Sequence, residues 1–376
     1  MAKISYLTTI EFDFGAVRIL DNVLDELNVT RPLLVTDRGL VDTGIVGRVT
    51  ETMARHQPVG IFDATPANPT EQAVGDAVAV YRDAECDGIV ALGGGSPMDL
   101  AKAVALMASH PGRLSNYTVD SGGSARITSA IPPIIAIPTT AGTGSEVGRA
   151  ALIVMADGRK LGLISPHLFP RRAICDPELT IDMPAALTAA TGMDAIAHCI
   201  ETFLSPAVNP PADAIALDGL QRAIANIEVA LDDGANREAR WHMMMAALQG
   251  GLCFQKGLGA VHALSHPLGA LRQPILHHGT LNAVLLPPVL RYNATVSQDK
   301  YVALRSALGI APVDDPTDAI SALNVRLGLP ASLGAMGVPE TVLPAIAEAG
   351  MLDHSTRTNP REPTVADYEM LLRETF

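Results

Sequence analysis

Residues 1–182 predict an α/β domain built on a mostly parallel sheet, and residues 183–376 predict an all-helical domain. Three observations carry this division. Short β-branched runs alternate with helical patterns as far as about residue 180. Beyond Asp182-Met183-Pro184 the strand signals thin out into long segments rich in Ala, Leu and Met. A chain of 376 residues also exceeds one ordinary hydrophobic core and suits about two domains. Aromatics make up only 4% of residues, so the core must be assembled from Ala, Val, Leu and Ile, as α/β and helical layers allow.

The elements follow in chain order. The opening MAKISYLTTIEF alternates apolar and polar residues like a strand and lacks the basic, then apolar, then small-residue pattern of a signal peptide. Further strand runs lie at 32–37, 59–63, 88–92, 134–138 and 151–155. Asn68, Pro69 and Glu71 read as N-cap, N1 and N3 of a helix whose apolar face carries Val74, Ala77, Val78 and Tyr81. Ser96, Pro97 and Asp99 read the same way for the helix after Gly93-Gly94-Gly95. Strands separated by helices imply a sheet covered on both faces. In the second half, helices are expected over 185–203, 212–230 and 238–254. Pro206, Pro210, Pro211 and the pair Pro287-Pro288 are expected to punctuate helices and not to interrupt them. The stretch around Asn359-Pro360-Arg361-Glu362-Pro363 reads as a loop before a last short helix.

Charge and cysteine usage exclude several classes. A net charge of −13 with no run of Lys or Arg argues against a nucleic acid or an anionic membrane surface as partner. No stretch reaches the ~18 apolar residues of a membrane span. Cys86, Cys175, Cys199 and Cys253 are scattered without a CxxC pair, so they read as buried thiols of a cytoplasmic protein, not as a disulfide or zinc-thiolate framework. A small-molecule substrate fits best.

Three features of the first half point to a dinucleotide. The run Gly93-Gly94-Gly95-Ser96 follows a strand and opens a helix, where a tight turn and free amides suit a pyrophosphate, although neither GxGxxG nor GxxxxGK[ST] is present. Pro138-Thr139-Thr140-Ala141-Gly142-Thr143-Gly144-Ser145-Glu146 is a second loop of small residues after a strand, rich in hydroxyls and backbone donors. Asp37, at the end of another strand, can accept from both ribose hydroxyls and repel a 2′-phosphate, which favours NAD over NADP.

The second half concentrates metal-ligand chemistry. Of ten histidines, four lie between positions 262 and 278. Asp194 and His198 are spaced i, i+4, as are His262 and His266, so each pair shares a helix face with Cβ atoms roughly 6 Å apart. The pair His277–His278 follows. An Asp with two or three imidazoles around one point suits iron(II) or zinc with a position left open for substrate. Asp194 also sits among Ala, Met and Ile, where a carboxylate without partners would be costly. Cys199 points about 100° away from its neighbour ligand and reads as core. His167, His242 and His354 lack local partners and read as surface or packing residues.

Over nearly its whole length the chain resembles the iron-dependent (group III) alcohol dehydrogenases. The residues that carry the likeness are LLVTDRGL, NPTEQAV, ALGGGSPMDLAKAVA, PTTAGTGSEV, DPELT, GMDAIAHCIE, GLGAVHALSHPLGA, HHGTLNAVLLP and TNPRE. The resemblance implies a Rossmann-like dinucleotide-binding domain over 1–182 and a helical metal- and substrate-binding domain over 183–376. The architecture is dehydroquinate synthase-like, with the site in the cleft between the two. It further implies Asp194, His198, His262 and His278 as metal ligands, and His266 as the histidine beside the nicotinamide, a candidate proton relay. The implied cofactor contacts are Asp37, Gly94, Gly95, Ser96, Thr139, Thr140 and Lys160, with Asp99 and Leu179 in matching motifs.

The expected cofactors are Fe2+, with Zn2+ or another divalent metal as alternative, and NAD. The expected reaction is reversible hydride transfer between a small alcohol, hydroxy acids included, and nicotinamide in a homodimer or larger homo-oligomer. A zinc-dependent glycerol dehydrogenase or a maleylacetate reductase-like enzyme of the same superfamily is the alternative. The family usually reads PHG at the last ligand, whereas this chain has His277-His278-Gly279 and two extra residues in the Leu271–Leu276 loop. Register against the following Gly and NA-x-LLP assigns His278, with His277 as alternative. The usual LLPH is LLPP here, which leaves some residues of the site wall open. Arg149 and Arg272 are candidates to meet an anionic substrate.

Overall fold

The computed structural model describes residues 4, 6 and 8–376. The chain divides into two compact units: Tyr6–Thr140 with Ser145–Thr180, and Ala141–Gly144 with Ile181–Phe376. The first residues of the amino-terminal strand reading (1–3, 5 and 7) lie outside the described residues.

Among the described residues the first unit holds eight strands: β1 (Thr9–Phe12), β2 (Pro32–Val35), β3 (Gly60–Phe62), β4 (Gly88–Gly93), β5 (Ile134–Pro138), β6 (Ala150–Val154), β7 (Lys160–Ile164) and β8 (Arg172–Cys175). Its helices are α1 (Leu20–Glu26), α2 (Arg38–Asp42), α3 (Ile45–Thr50), α4 (Glu71–Asp83) and α5 (Gly95–Ser109). Six strands form a sheet in the order β1-β8-β5-β4-β2-β3. All its pairings are parallel. Alternate residues of the central strands feed two cores. Leu33, Val35, Ile89 and Ala91 pack with α4 and α5 on one face. Leu34, Val90, Leu92 and Ile135 pack with α1 and α3 on the other. Burial on both faces is why these strands are continuous apolar runs and not alternating ones.

The second unit consists of α6 (Ala185–Leu204), α7 (Pro210–Asp232), α8 (Arg237–Cys253), α9 (Ala260–Gly269), α10 (His278–Ala294), α11 (Gln298–Leu308), α12 (Pro316–Arg326), α13 (Leu343–Leu352) and α14 (Val365–Glu374). Helix α6 is buried from Thr188 to Leu204 and packs against α7, α8 and α10. Small residues allow that approach. A Cβ at Gly192 would meet Ile227, and one at Gly279 would collide with the carbonyl of Ala190.

Several expectations need correction. The run at 151–155 belongs to β6, which pairs antiparallel with β7 in a separate hairpin and not in the parallel sheet. Strands β7 and β8 had no clear signal, because Lys160–Ile164 carries a charge and a glycine and Arg172–Cys175 carries a charge and only one β-branched residue. Helix α4 begins at Glu71, capped by Thr70, whose hydroxyl accepts from Ala73 N at 3.2 Å, and not at Pro69 capped by Asn68. Helix α5 begins at Gly95 with Gly94 as N-cap, and Ser96 Oγ instead donates to Ala67 O. Pro210 and Pro211 do open a helix, after Asn209.

Pro287 and Pro288, by contrast, lie inside α10. Proline removes the donor that would serve the carbonyl four residues back. For Pro287 that carbonyl is Ala283 O, which accepts instead from Asn324 Nδ2 at 2.7 Å, and the helix continues through the pair.

Since Gly279 sets the approach of α10 to α6, Gly279→Ala should lower unfolding free energy by about 1–3 kcal/mol in a denaturant melt, the usual cost of overpacking. An unchanged midpoint would show that the two helices have room to spare.

Candidate functional site

Helix α6 supplies Asp194 and His198, α9 supplies His262 and His266, and the first residue of α10 is His278. Asp194 is 2% exposed and stands at the centre of the group. Its Oδ1 lies 3.7 Å from His198 Nδ1, 3.8 Å from His262 Nε2 and 3.7 Å from His278 Nε2. Asp194, His262 and His278 hold their ligand atoms within 4.8 Å of one another, and His198 adds a fourth donor beside Asp194; donors on one ion at bond lengths near 2.1 Å would stand about 3.4 Å apart in a tetrahedron, so the separations from Asp194 are close to those a bound cation needs. His198 Nδ1 is buried and has no hydrogen-bond partner among the described residues, a lone pair that an ion would satisfy. The donor set therefore fits a divalent metal. His277 is the N-cap residue of α10, exposed, with its Nδ1 3.4 Å from Thr280 Oγ1.

Burial raises the Asp194 carboxyl, but the surrounding imidazoles of His198, His262 and His278 outweigh it and hold the group far below the usual carboxylate range. Burial lowers His198 to about 4 against the pull of Asp194, leaving a neutral imidazole fit to ligate. His262 is pushed the other way, to about 9, because hydrogen bonds to Asp194 and Glu201 exceed the burial penalty.

Four residues that the sequence did not place in the site complete the arrangement. Glu201 Oε2 stands 2.6 Å from His262 Nδ1, while its Oε1 accepts from Val261 N at 2.7 Å. A carboxylate on the outer nitrogen makes Nδ1 the donor and leaves Nε2 to face Asp194. Asn282, one turn after His278, donates its amide to Asp194 Oδ1 at 2.7 Å and lies 3.2 Å from both His262 Nε2 and His278 Nε2. Asp353, after α13, lies 2.8 Å from His266 Nδ1, and His354 stacks on the His266 ring. His354 therefore belongs to this cluster and is not a surface residue without partners. His242 likewise has a partner, Arg222, at 3.0 Å, while His167 is exposed and Cys199 is buried in the helical core.

In the first unit, Asp37, Gly93–Ser96 and Thr139–Thr140 follow β2, β4 and β5, three adjacent parallel strands, at their carboxyl ends. Crevices outside such strand ends are where open α/β sheets bind ligands. Asp37 caps α2, accepting from Leu40 N at 3.1 Å, and burial raises its carboxyl. Gly93 has φ +149, and a Cβ there would strike Pro97. A Cβ on Gly94 would stand 3.2 Å from Thr140 Oγ1, so the glycine keeps the two loops in close contact. Asp99 turns inward: its oxygens accept from Ser145 Oγ at 2.8 Å and Leu152 N at 2.9 Å. Lys102, fully buried, donates to Ser145 O and Ala150 O, fastening the same loop from beneath. Lys160 Nζ donates to Asn68 Oδ1 at 2.9 Å. Leu179 is buried in the core cluster with Ile137 and Ile174.

Residues 8–177 match the family described as iron-containing alcohol dehydrogenase, and residues 188–376 match the Fe-containing alcohol dehydrogenase family, C-terminal. The chain is 54% identical over 383 residues to a 4-hydroxybutyrate dehydrogenase of Cupriavidus necator, spanning all of both proteins. Among solved structures it is similar to a 1,3-propanediol oxidoreductase, with a TM-score of 0.93, 36% identity and full coverage of both chains. It is also similar to a sulfoacetaldehyde reductase of Bifidobacterium kashiwanohense in complex with NAD+, with a TM-score of 0.90 and 28% identity over 100% of this chain and 98% of that one.

Asp194→Ala and His262→Ala should each remove both metal and turnover, read by elemental analysis and an NAD-reduction assay. Glu201→Gln should weaken metal affinity by roughly 10–100-fold in a chelator competition, the usual effect of losing a carboxylate behind a ligating histidine. Full metal content in either alanine variant would refute the ligand assignment.

Proposed function

The chain belongs to the iron-containing alcohol dehydrogenase family and is an NAD-linked alcohol and aldehyde oxidoreductase, and from that premise we propose that its substrate is a short ω-hydroxy acid. The observation that carries the reading is the end-to-end identity of 54% with a 4-hydroxybutyrate dehydrogenase. In the forward direction a primary alcohol loses hydride and a proton to give the semialdehyde, with NAD+ reduced to NADH.

Asp194, His198, His262 and His278 would hold the iron, or another divalent cation. Bound metal supplies Lewis acidity toward the substrate oxygen, and bound nicotinamide supplies a hydride acceptor. The protein contributes the rest. Glu201 fixes the outer proton of His262, and Asn282 steadies Asp194. Amides at the start of α5, with Gly94, Gly95 and Ser96, suit the pyrophosphate, and Asp37 suits the ribose hydroxyls. Thr139, Thr140 and Lys160 complete the proposed cofactor contacts, while Asp99 and Leu179 support them from within the fold. His266 is the acid–base group for the hydroxyl proton.

A carboxylated substrate calls for a cation. Arg272 lies in the segment between the helices that carry His262 and His278, and Arg149 lies in the loop after β5. Both are exposed, and among the described residues neither forms an ion pair with Asp or Glu. Four free cysteines support a reducing compartment such as the cytoplasm, and no helix among the described residues is long and apolar enough to cross a membrane. A homo-oligomer is the proposed assembly, supported by Val59 and Ile61, exposed at the edge strand β3.

With NADH formation as readout, 4-hydroxybutyrate should exceed 1-butanol in kcat/KM by about 10–100-fold, the worth of one charge-assisted contact of 1.5–3 kcal/mol. Arg272→Ala should erase most of that preference by raising KM for the acid alone. Equal use of both alcohols would overturn the hydroxy-acid reading.

A further inference from the structure

His266 is enclosed, with its side chain 3% exposed, and its Nδ1 lies 2.8 Å from Asp353 Oδ2. The other oxygen of Asp353 accepts from Ser355 N at 2.8 Å and so caps the short turn of helix at His354–Thr358. A carboxylate can only accept, so in neutral His266 the proton sits on Nδ1 and Nε2 carries the lone pair. Two imidazoles fix the plane of the ring. His278 stacks on it at 5.6 Å and 9°, and His354 at 5.9 Å and 16°.

We propose that Asp353 is the positioning residue of His266: its Oδ2 selects the Nδ1–H tautomer, and the stack with His354 holds the ring so that Nε2 is the nitrogen presented for acid–base work. This rests on the reading of His266 as the acid–base group. Asp353 is 87 residues away in sequence and touches neither substrate nor metal in this scheme. It acts through His266. The backbone amide of Ser355 already anchors one oxygen, so the carboxylate is fixed at both ends and the imidazole has one hydrogen-bonded orientation available.

The exchange Asp353→Asn tests this directly, because the cap predicts which way the new amide turns. Its carbonyl keeps the Ser355 N–H, which leaves the NH2 facing His266 Nδ1. That nitrogen must then accept, and the proton moves to Nε2, the wrong tautomer for a base. The expected result is a fall in kcat on the order of 10²–10⁴-fold with metal content unchanged, the size of a lost acid–base contribution or wrong tautomer. KM for NAD+ and for the alcohol should stay within about 3-fold, since ground-state binding is not removed. The Asp353→Asn, His266→Gln double variant should be no slower than His266→Gln alone, because both changes disable one unit.

A second reading is independent of turnover. In zinc-loaded protein labelled with 15N-histidine, the His266 signals, identified by their loss in His266→Gln, should report a protonated Nδ1 and a bare Nε2. In Asp353→Asn they should report the reverse. The proposal fails if Asp353→Asn keeps kcat within about 3-fold of the parent. It also fails if the losses multiply in the double variant, or if the parent protein carries the His266 proton on Nε2. Absence of alcohol oxidation by the parent protein would sink the dehydrogenase reading instead, and the tautomer measurement would still decide the role of Asp353. That measurement on the parent also decides it should the Asn variant fail to fold.

Discussion

The buried charge of Asp194 is the constraint around which the helical unit is arranged. Asp194 lies in the middle of α6, where Ala195, Ile196 and Ala197 follow it and all are closed to water. A carboxylate in such a place is tolerated only when neighbours supply compensating charge or hydrogen bonds. Three imidazoles and one amide surround it, and two further carboxylates, Glu201 and Asp353, bind the outer nitrogens of His262 and His266. Three carboxylates against the charge on His262 leave the cluster net negative, and among the described residues no Lys or Arg pairs with any of the three acids. A divalent cation is the group that balances it. The same demand explains Gly279, since only a residue without a side chain brings α10 close enough to α6 for His278 to reach Asp194.

The dinucleotide side depends on fixed backbone in place of buried charge. Its loops are short and rich in glycine and threonine, so they need internal anchors to hold one shape. Lys102 and Asp99 provide them from α5: a buried ammonium holds one carbonyl of the loop after β5 and one at the start of β6, and a carboxylate holds the loop's serine and the same strand. Asp99, though it lies in a family motif, thus turns inward and holds backbone in place.

How much of this was legible in the sequence followed from distance along the chain. The central strands were readable because β2, β4 and β5 are buried on both faces and so appear as unbroken apolar runs. Asp194 with His198 and His262 with His266 were readable because both pairs repeat at helical spacing. Glu201, Asn282 and Asp353 were not, although each touches a site residue. Their contacts span 61, 88 and 87 residues respectively, and a lone acid or amide on a helix looks the same whether it faces solvent or a histidine. His354 was misjudged for the same reason, since its partner in the stack lies on α9. The Pro287-Pro288 pair misled in the opposite direction: local propensity argued for a break, and a side chain from α12, Asn324, made the break unnecessary.

The central claim is a single cation shared by one carboxylate and three imidazoles, and anomalous X-ray diffraction from crystals of the iron- or zinc-loaded protein tests it most directly. Data collected on either side of the metal edge should give one strong peak in the helical unit, at about 2.0–2.2 Å from an oxygen of Asp194 and a ring nitrogen of each of His198, His262 and His278. A peak elsewhere, or one that leaves any of these four side chains beyond bonding distance, would contradict the account.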